Sequence, residues 1–262
     1  MTLITFTFDG GYQETFDFIK SLLPKFSLPS TWFIVTATVG KTLDNRKVIN
    51  WSDLFYLVKN GMEVGSHSHT HPLLKESKFD FLNKLKIKLL KIAKNPKQEL
   101  KNIKKSIETI TKIKMNTDFL IKEAEISKNI LEEKLNLKIK SFAYPHGRTN
   151  QQLKDALRKM NYKSARRTKD GYNFVNKIDL FDLRSKTWTI NTSLKEANQW
   201  IDELLKNKGW LIETFHLITD KKINYFYTTT KDKFINHLSY IKSKGIELKT
   251  QGEVVEKILS KI

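Results

Sequence analysis

The chain has 262 residues, 39% hydrophobic and 11% aromatic, which suffices to bury a full core as a single domain with an insertion. Zero Cys excludes a disulfide framework and a thiolate metal site, so any bound metal must take His, carboxylate, hydroxyl, carbonyl or water donors. The formal net charge is +19, no window approaches ~18 consecutive apolar residues, and the start lacks a basic leader, so a soluble, cytoplasmic chain is expected.

In chain order, Leu3 to Phe8 alternates as a strand, Gln13 to Leu23 reads as a helix, and Ser30 to Thr36 is a strand of bulky residues. Trp51 to Asn60 is a helix stopped at Gly61, followed by a short strand from Met62 to Gly65. The segment 75–117 then departs from the rest: thirteen Lys face Glu76, Asp80, Glu99 and Glu108, a net charge of +9. Phe79, Leu82, Leu85, Leu89 and Ile92 recur at helical spacing, Asn95-Pro96 breaks the pattern, and Ile103, Ile107 and Ile110 resume it, so an amphipathic helical hairpin is expected. Two readings of it stay open: a peripheral contact for anionic lipid or glycan, or a solvated Lys-rich face. Nucleic acid is not an expected partner, because aromatic residues do not interleave with the basic ones.

Beyond the insertion, Asp118 to Leu135 has helical spacing, then come a strand Ile139 to Tyr144, a helix Asn150 to Met160 and a strand Tyr162 to Ala165. A helix Leu194 to Asn207, a strand Trp210 to Phe215, a helix Lys231 to Lys244 and a last helix Glu253 to Leu259 complete the chain. Repeated strand-then-helix order predicts a parallel α/β sheet or barrel, whose site is built at the carboxyl ends of the strands. Asp9, His67, Pro145 and His216 each follow a predicted strand within a few residues.

Three of the six His fall in five positions, His67, His69 and His71. On a helical turn the i, i+4 pair His67 and His71 would share a face, a common way to supply two ligands of a zinc site. On an extended segment all three would project to one side. Asp9, followed by Gly10 and Gly11, reads as a site carboxylate, a turn residue or the cap of the helix beginning near Gln13.

Thr7-Phe8-Asp9-Gly10-Gly11, His67-Ser68-His69-Thr70-His71-Pro72 and Phe142-Ala143-Tyr144-Pro145-His146-Gly147 together resemble the motifs of the polysaccharide deacetylase family, carbohydrate esterase family four, in its Phe-Ala-Tyr-Pro subgroup. Pro29 to Val35 and Trp210 to His216 are similar to further family segments, and the likeness spans most of the chain outside 75–117. The resemblance implies a distorted (β/α) barrel of the polysaccharide deacetylase type carrying the Lys-rich helical insertion, residues 1–262 forming one domain.

The resemblance also implies an activity: hydrolysis of an N-acetyl, or N-formyl, group from an amino sugar of a glycan or glycan precursor. A divalent metal, commonly zinc, would be held by His67 and His71 to polarise the amide carbonyl and activate a water. Asp9 would be the general base, His216 the general acid, and the backbone N–H of His146 an oxyanion donor. Tyr144, Pro145 and Trp188 would line the substrate pocket, with Trp188 walling the acetyl group or belonging to the core.

Two positions depart from the family pattern. Gly10 stands where a second Asp normally completes the metal ligands, leaving water, Asp9, His69 or a substrate oxygen to take its place. Ala143 stands where many members carry an Arg that orients the base, a role expected of Arg166 or Arg167. A catalytically inactive relative that binds a glycan or protein partner through the same cleft is therefore the competing expectation.

Overall fold

A computed structural model describes residues 2–73 and 96–260, with side chains from 116 onward in the second stretch. The first limb of the expected hairpin, and most side chains of the segment 75–117, lie outside the described residues.

The sheet is organised around β1 (Leu3–Asp9), whose seven residues are all buried. It is flanked by β2 (Ser30–Ile34) and β9 (Trp210–Phe215), both parallel to it, which is why the strand reads as apolar residues and Thr with no polar face. Outward from β2 follow β5 (Glu63–Ser66), β6 (Ser141–Ala143) and β7 (Ser164–Arg166); outward from β9 lies β8 (Lys186–Thr187). The strand β12 (Glu247–Leu248) pairs with Leu3 and Ile4 of β1. Every pairing in this eight-stranded sheet is parallel. Its two edges are bridged by one stretch of chain. Leu183 pairs in parallel with Arg166 of β7, and three residues on Lys186 pairs with Glu213 of β9. The sheet thus curls into the expected distorted barrel.

Helices cover its outside: α1 (Gln13–Leu22), α2 (Trp51–Lys59), α3 (Pro96–Leu135), α4 (Gln151–Lys159), α5 (Leu194–Asn207) and α6 (Lys231–Ser243). Their starts were written locally: Asn50 and Asp53 form a reciprocal capping box on α2, and Asn150, Ser193 and Thr230 cap α4, α5 and α6. The expected boundary at Thr117–Asp118 does not exist, since α3 is one helix of 40 residues beginning at Pro96. No Gly or Pro interrupts residues 97–135, and Pro at the first helical position is where Pro is tolerated.

Inside, Phe8 stacks on Trp32 at 4.5 Å, and Phe6, Phe215 and Phe234 pack around them with ring centroids 5.1 to 5.6 Å apart. Burying each such ring stabilises the fold by about 2 kcal/mol. The last helix, α7 (Gln251–Leu259), closes the amino-terminal end of the barrel. Its first backbone N–H groups donate to Thr31 Oγ1 (2.8 Å) and Glu63 Oε2 (2.8 Å), at the starts of β2 and β5. Ser141 Oγ at the start of β6 donates to Glu63 Oε1 at 2.5 Å. Glu63 thus places a carboxylate at a helix N-terminus, where the dipole favours it, and burial pushes its pKa up. With that end plugged, the opposite end of the barrel is left for chemistry.

Four small pairings had no sequence counterpart: the antiparallel hairpin β3 (Thr42–Leu43) with β4 (Arg46–Lys47), the parallel pair β10 (Leu217–Ile218) with β11 (Thr228–Thr229), β8 with β9, and β12 with β1. Strands of two residues carry no readable period. Among the described residues no helix is long and apolar enough to cross a membrane.

Candidate active site

β1 delivers Asp9 to the carboxyl end of the barrel, where Gly10 (φ +83°) and Gly11 (φ +65°) turn the chain through left-handed backbone. The cap reading of Asp9 is not realised: α1 starts after Tyr12 without a side-chain cap, and the carboxylate engages Arg166. Arg166 Nη2 lies 2.6 Å from both Oδ1 and Oδ2 of Asp9, with both side chains buried. Burial alone would raise the Asp9 pKa, but the Arg166 charge, aided by His67 and His216, holds it below the ordinary carboxylate value. Arg167 points elsewhere, to Asp182 (3.1 Å) and the Gly147 carbonyl (3.0 Å).

β5 delivers His67, and the chain then reverses through two left-handed residues, Ser68 (φ 66°) and His71 (φ 60°). The histidine segment is therefore neither a helical turn nor an extended strand. Ser68 Oγ accepts from the His71 N–H at 3.0 Å, and Glu123 of α3 accepts from the Thr70 N–H (2.5 Å) and hydroxyl (3.0 Å), fixing the loop. His69 turns away and its Nδ1 bonds Thr36 Oγ1 at 2.9 Å.

His67 and His71 converge. His67 Nδ1 donates to the Ala143 carbonyl of the neighbouring strand at 2.9 Å, which leaves Nε2 as a lone-pair donor. That Nε2 lies 3.2 Å from His71 Nε2. Two nitrogens each ~2.0–2.1 Å from a tetrahedral zinc would stand about 3.3 Å apart, so the pair fits the nitrogen half of a metal site. Burial, opposed by the Asp9 charge, depresses both imidazoles, His71 to about 2, so both are neutral as ligation requires. Among the described residues, no three His, Asp or Glu side chains already form a ligand set.

β6 leads into a turn from Pro145 to Gly147 that contains His146 at φ 54°, ψ 17°. A Cβ on Gly147 would sit 2.0 Å from Thr168 Oγ1, so only glycine fits there. The His146 N–H takes no acceptor among the described residues, and its exposed ring lies 4.5 Å from that of His71. Tyr144 is anchored by its hydroxyl, which donates to the Phe181 carbonyl at 3.0 Å, while Pro145 is buried in the turn.

β9 delivers His216, whose Nε2 lies 3.9 Å from Asp9 Oδ2, and His67 Nε2 lies 3.8 Å from the same oxygen. Those gaps exceed a hydrogen bond and are bridgeable by one small group. Burial, opposed by Asp9 and reinforced by Arg166, lowers the His216 pKa to about 4, and Tyr227 stacks on its ring at 4.7 Å. Trp188 does not wall the cavity. It is buried, stacks on Phe215 at 5.3 Å and donates to Glu213 Oε2 at 2.7 Å, supporting the strand that carries His216.

Asp9, His67, His71, Tyr144, His146 and His216 line one cavity of about 210 Å³. Its remaining wall, not expected from sequence, includes Tyr12, Asp44, Tyr225 and Tyr227. Tyr12 Oη donates to Asp44 Oδ2 (2.9 Å) and lies 3.0 Å from Tyr225 Oη, joining the β3–β4 turn to the loop before β11. Asp44-Asn45, both with φ > 0, was the available signal for that turn. Among the described residues, no Lys or Arg lines the cavity, despite the net charge of +19.

The fold is similar to several solved structures. The Streptococcus pyogenes deacetylase PplD, in complex with acetate, shares 19% identity at a TM-score of 0.52, covering 74% of this chain and 67% of that one. A family 4 acetyl xylan esterase from Clostridium thermocellum, in complex with a cobalt ion, shares 14% at 0.53, covering 96% and 89%. A CE4 family pseudoenzyme from Bacillus anthracis shares 13% at 0.54, covering 97% of this chain and 65% of that one. No curated protein matches. Residues 2–165 match the family profile described as polysaccharide deacetylase, more than half of the chain, and the protein belongs to the polysaccharide deacetylase family.

Proposed function

We propose that the protein is a metal-dependent hydrolase that removes an N-acetyl or N-formyl group from an amino sugar in a glycan or glycan precursor, acting in the cytoplasm. The observation that carries this reading is the convergence of Asp9, His67, His71 and His216 on one cavity, with Arg166 holding Asp9. A dead cleft has no chemical need for all of them.

His67 and His71 would hold a divalent cation, with zinc the first choice for two imidazoles. When bound, it would supply Lewis-acid polarisation of the amide carbonyl. Asp9, kept ionised by Arg166, accepts a proton from the attacking water through Oδ2, the oxygen that faces both His67 and His216. His216, neutral in the resting site, relays to the departing nitrogen the proton that Asp9 takes from the water, since an amine anion is a poor leaving group. The free N–H of His146 donates to the oxygen on which negative charge develops. Tyr144 and the Tyr12–Asp44–Tyr225 wall shape the cavity, and the lack of Lys or Arg among its described lining residues suits an uncharged acylated sugar.

The second reading is a glycan- or partner-binding protein without turnover. Gly10 favours it, because it offers no donor at the position of the family's second Asp, and one protein of similar fold is itself described as a pseudoenzyme. Calorimetric zinc titration of chelator-stripped protein, beside a His67→Ala/His71→Ala control and an assay of acetate release from acetylated amino-sugar oligomers, separates the two. One-to-one binding lost in the control, together with acetate release, supports the hydrolase. No binding at millimolar zinc sends the search to ligands.

A further inference from the structure

Gly10 cannot be replaced as a donor by its own strand end. A Cβ there would lie 3.1 Å from Leu43 Cδ2 and 3.3 Å from Tyr12 Cε2 at φ +83°, so a ligand side chain at this position would be crowded and strained. Among the described residues, three further donors around the cavity, Asp9, Asp44 and His69, are committed. Both Asp9 oxygens are held by Arg166, Asp44 accepts from Tyr12, and His69 faces Thr36. His216 Nδ1 has no hydrogen-bond partner and its Nε2 stands 3.9 Å from Asp9 Oδ2, but its ring stacks on Tyr227 and the proposed reaction uses it for proton transfer.

Among the described residues, His146 is an uncommitted imidazole set directly beside the histidine pair. Its ring lies 4.5 Å from that of His71, as close as His67 on the same ring at 4.6 Å. Its side chain is exposed, so it can turn without breaking a buried contact. Its backbone is in the left-handed region at φ 54°, a conformation that costs a residue other than Gly, Asn or Asp and that persists at working sites.

We propose that His146 is the third nitrogen ligand of a His67–His71–His146 metal centre, replacing by an imidazole from the turn after β6 the carboxylate absent at Gly10. The inference rests on the metal-dependent reading above. It assigns His146 two roles that do not conflict, since the backbone N–H and the ring are separate groups. A three-imidazole centre retains the full charge of the cation, unlike one that includes a carboxylate, and so is a stronger Lewis acid per bound metal.

The test uses the stripped, full-length chain with metal alone. In uniformly 15N-labelled protein loaded with 113Cd, cadmium–nitrogen couplings to three imidazoles are expected; couplings to two overturn the proposal. In parallel, His146→Asn, a residue that tolerates left-handed backbone, is expected to weaken zinc binding by at least about tenfold, the scale of lost ligand support. It should also change the visible spectrum of the cobalt-loaded protein. Unchanged affinity and spectrum, in a variant with native circular dichroism, would mean that water fills the position and would refute the third ligand alone. Absence of metal binding by the unsubstituted chain refutes both this proposal and the reading on which it rests.

Discussion

Arg166 Nη2 bridges the two carboxylate oxygens of Asp9 at 2.6 Å each, across the barrel from the end of β7 to the end of β1. The pair ties together strands separated by three others in the sheet. Removing either partner leaves a buried charge uncompensated. Asp9→Asn should therefore cost about 3–5 kcal/mol at neutral pH, read from urea unfolding. Because folding lowers the Asp9 pKa, its stabilisation is present above the unfolded value of 3.8 and is lost as pH falls through the folded value. The gap between wild type and variant should accordingly narrow on acidification. A gap that stays constant down to the acid transition would contradict the assignment.

Glu63 predicts the opposite slope. Burial raises its folded pKa above the model-peptide value of 4.5, so the native state binds a proton more tightly than the unfolded chain. Stability relative to Glu63→Gln should rise as pH drops through the folded pKa and level off below 4.5. Guanidinium titrations at several pH values check it, and a fall in that difference on acidification would show that the Glu63 pKa is not raised.

Much of this was legible in the sequence, for local reasons. The alternation from Leu3 to Phe8, the apolar Trp210 to Phe215 run and the Thr250–Glu253 spacing each encode their element within a few residues. The convergence of Asp9, His67 and His216 followed from placing each beyond a strand, and His71 was paired with His67 by spacing and by the family resemblance. What was not legible depends on contacts distant in sequence or on loop dihedrals. Trp188 reads as either a groove or a core residue until Glu213 and Phe215 are seen around it. The orientation of His69 follows from the left-handed Ser68, which no side-chain pattern reports. The boundary expected at Thr117 reflected a change in Lys density, and a helix does not end where charge thins.

Restoring a carboxylate by Gly10→Asp should work against the fold. At φ +83° with Leu43 and Tyr12 in the way, the apo variant should lose roughly 1–3 kcal/mol. If the restored carboxylate reaches the metal, zinc should then raise the melting temperature of the variant by more than that of the wild type, since ligand binding to the native state adds stability. Thermal melts with and without zinc make the comparison. An unchanged zinc-dependent shift would mean that residue 10 does not face the metal seat.

Gly147→Ala should be harsher. The added carbon would meet the Thr168 backbone nitrogen at 2.7 Å as well as its hydroxyl, at φ +65°. A loss of more than about 3 kcal/mol is expected, with hydrolysis lost through displacement of the His146 N–H. Pairing it with Thr168→Gly, which removes the hydroxyl clash, should recover part of the stability. No recovery would assign the cost to backbone conformation alone.

The acceptor that orients His67 is a main-chain carbonyl, at Ala143. It is set by the pairing of β5 with β6, where Ser66 lies beside Phe142. No side-chain replacement at position 143 deletes that oxygen, so the tautomer of this imidazole is insulated from point mutation. The Asp9–Arg166 contact has no such insulation, being open to loss at either end through a single codon. Drift in this lineage should therefore abolish base orientation well before it disturbs the histidine pair, leaving descendants that still capture a cation in a cleft that no longer turns over.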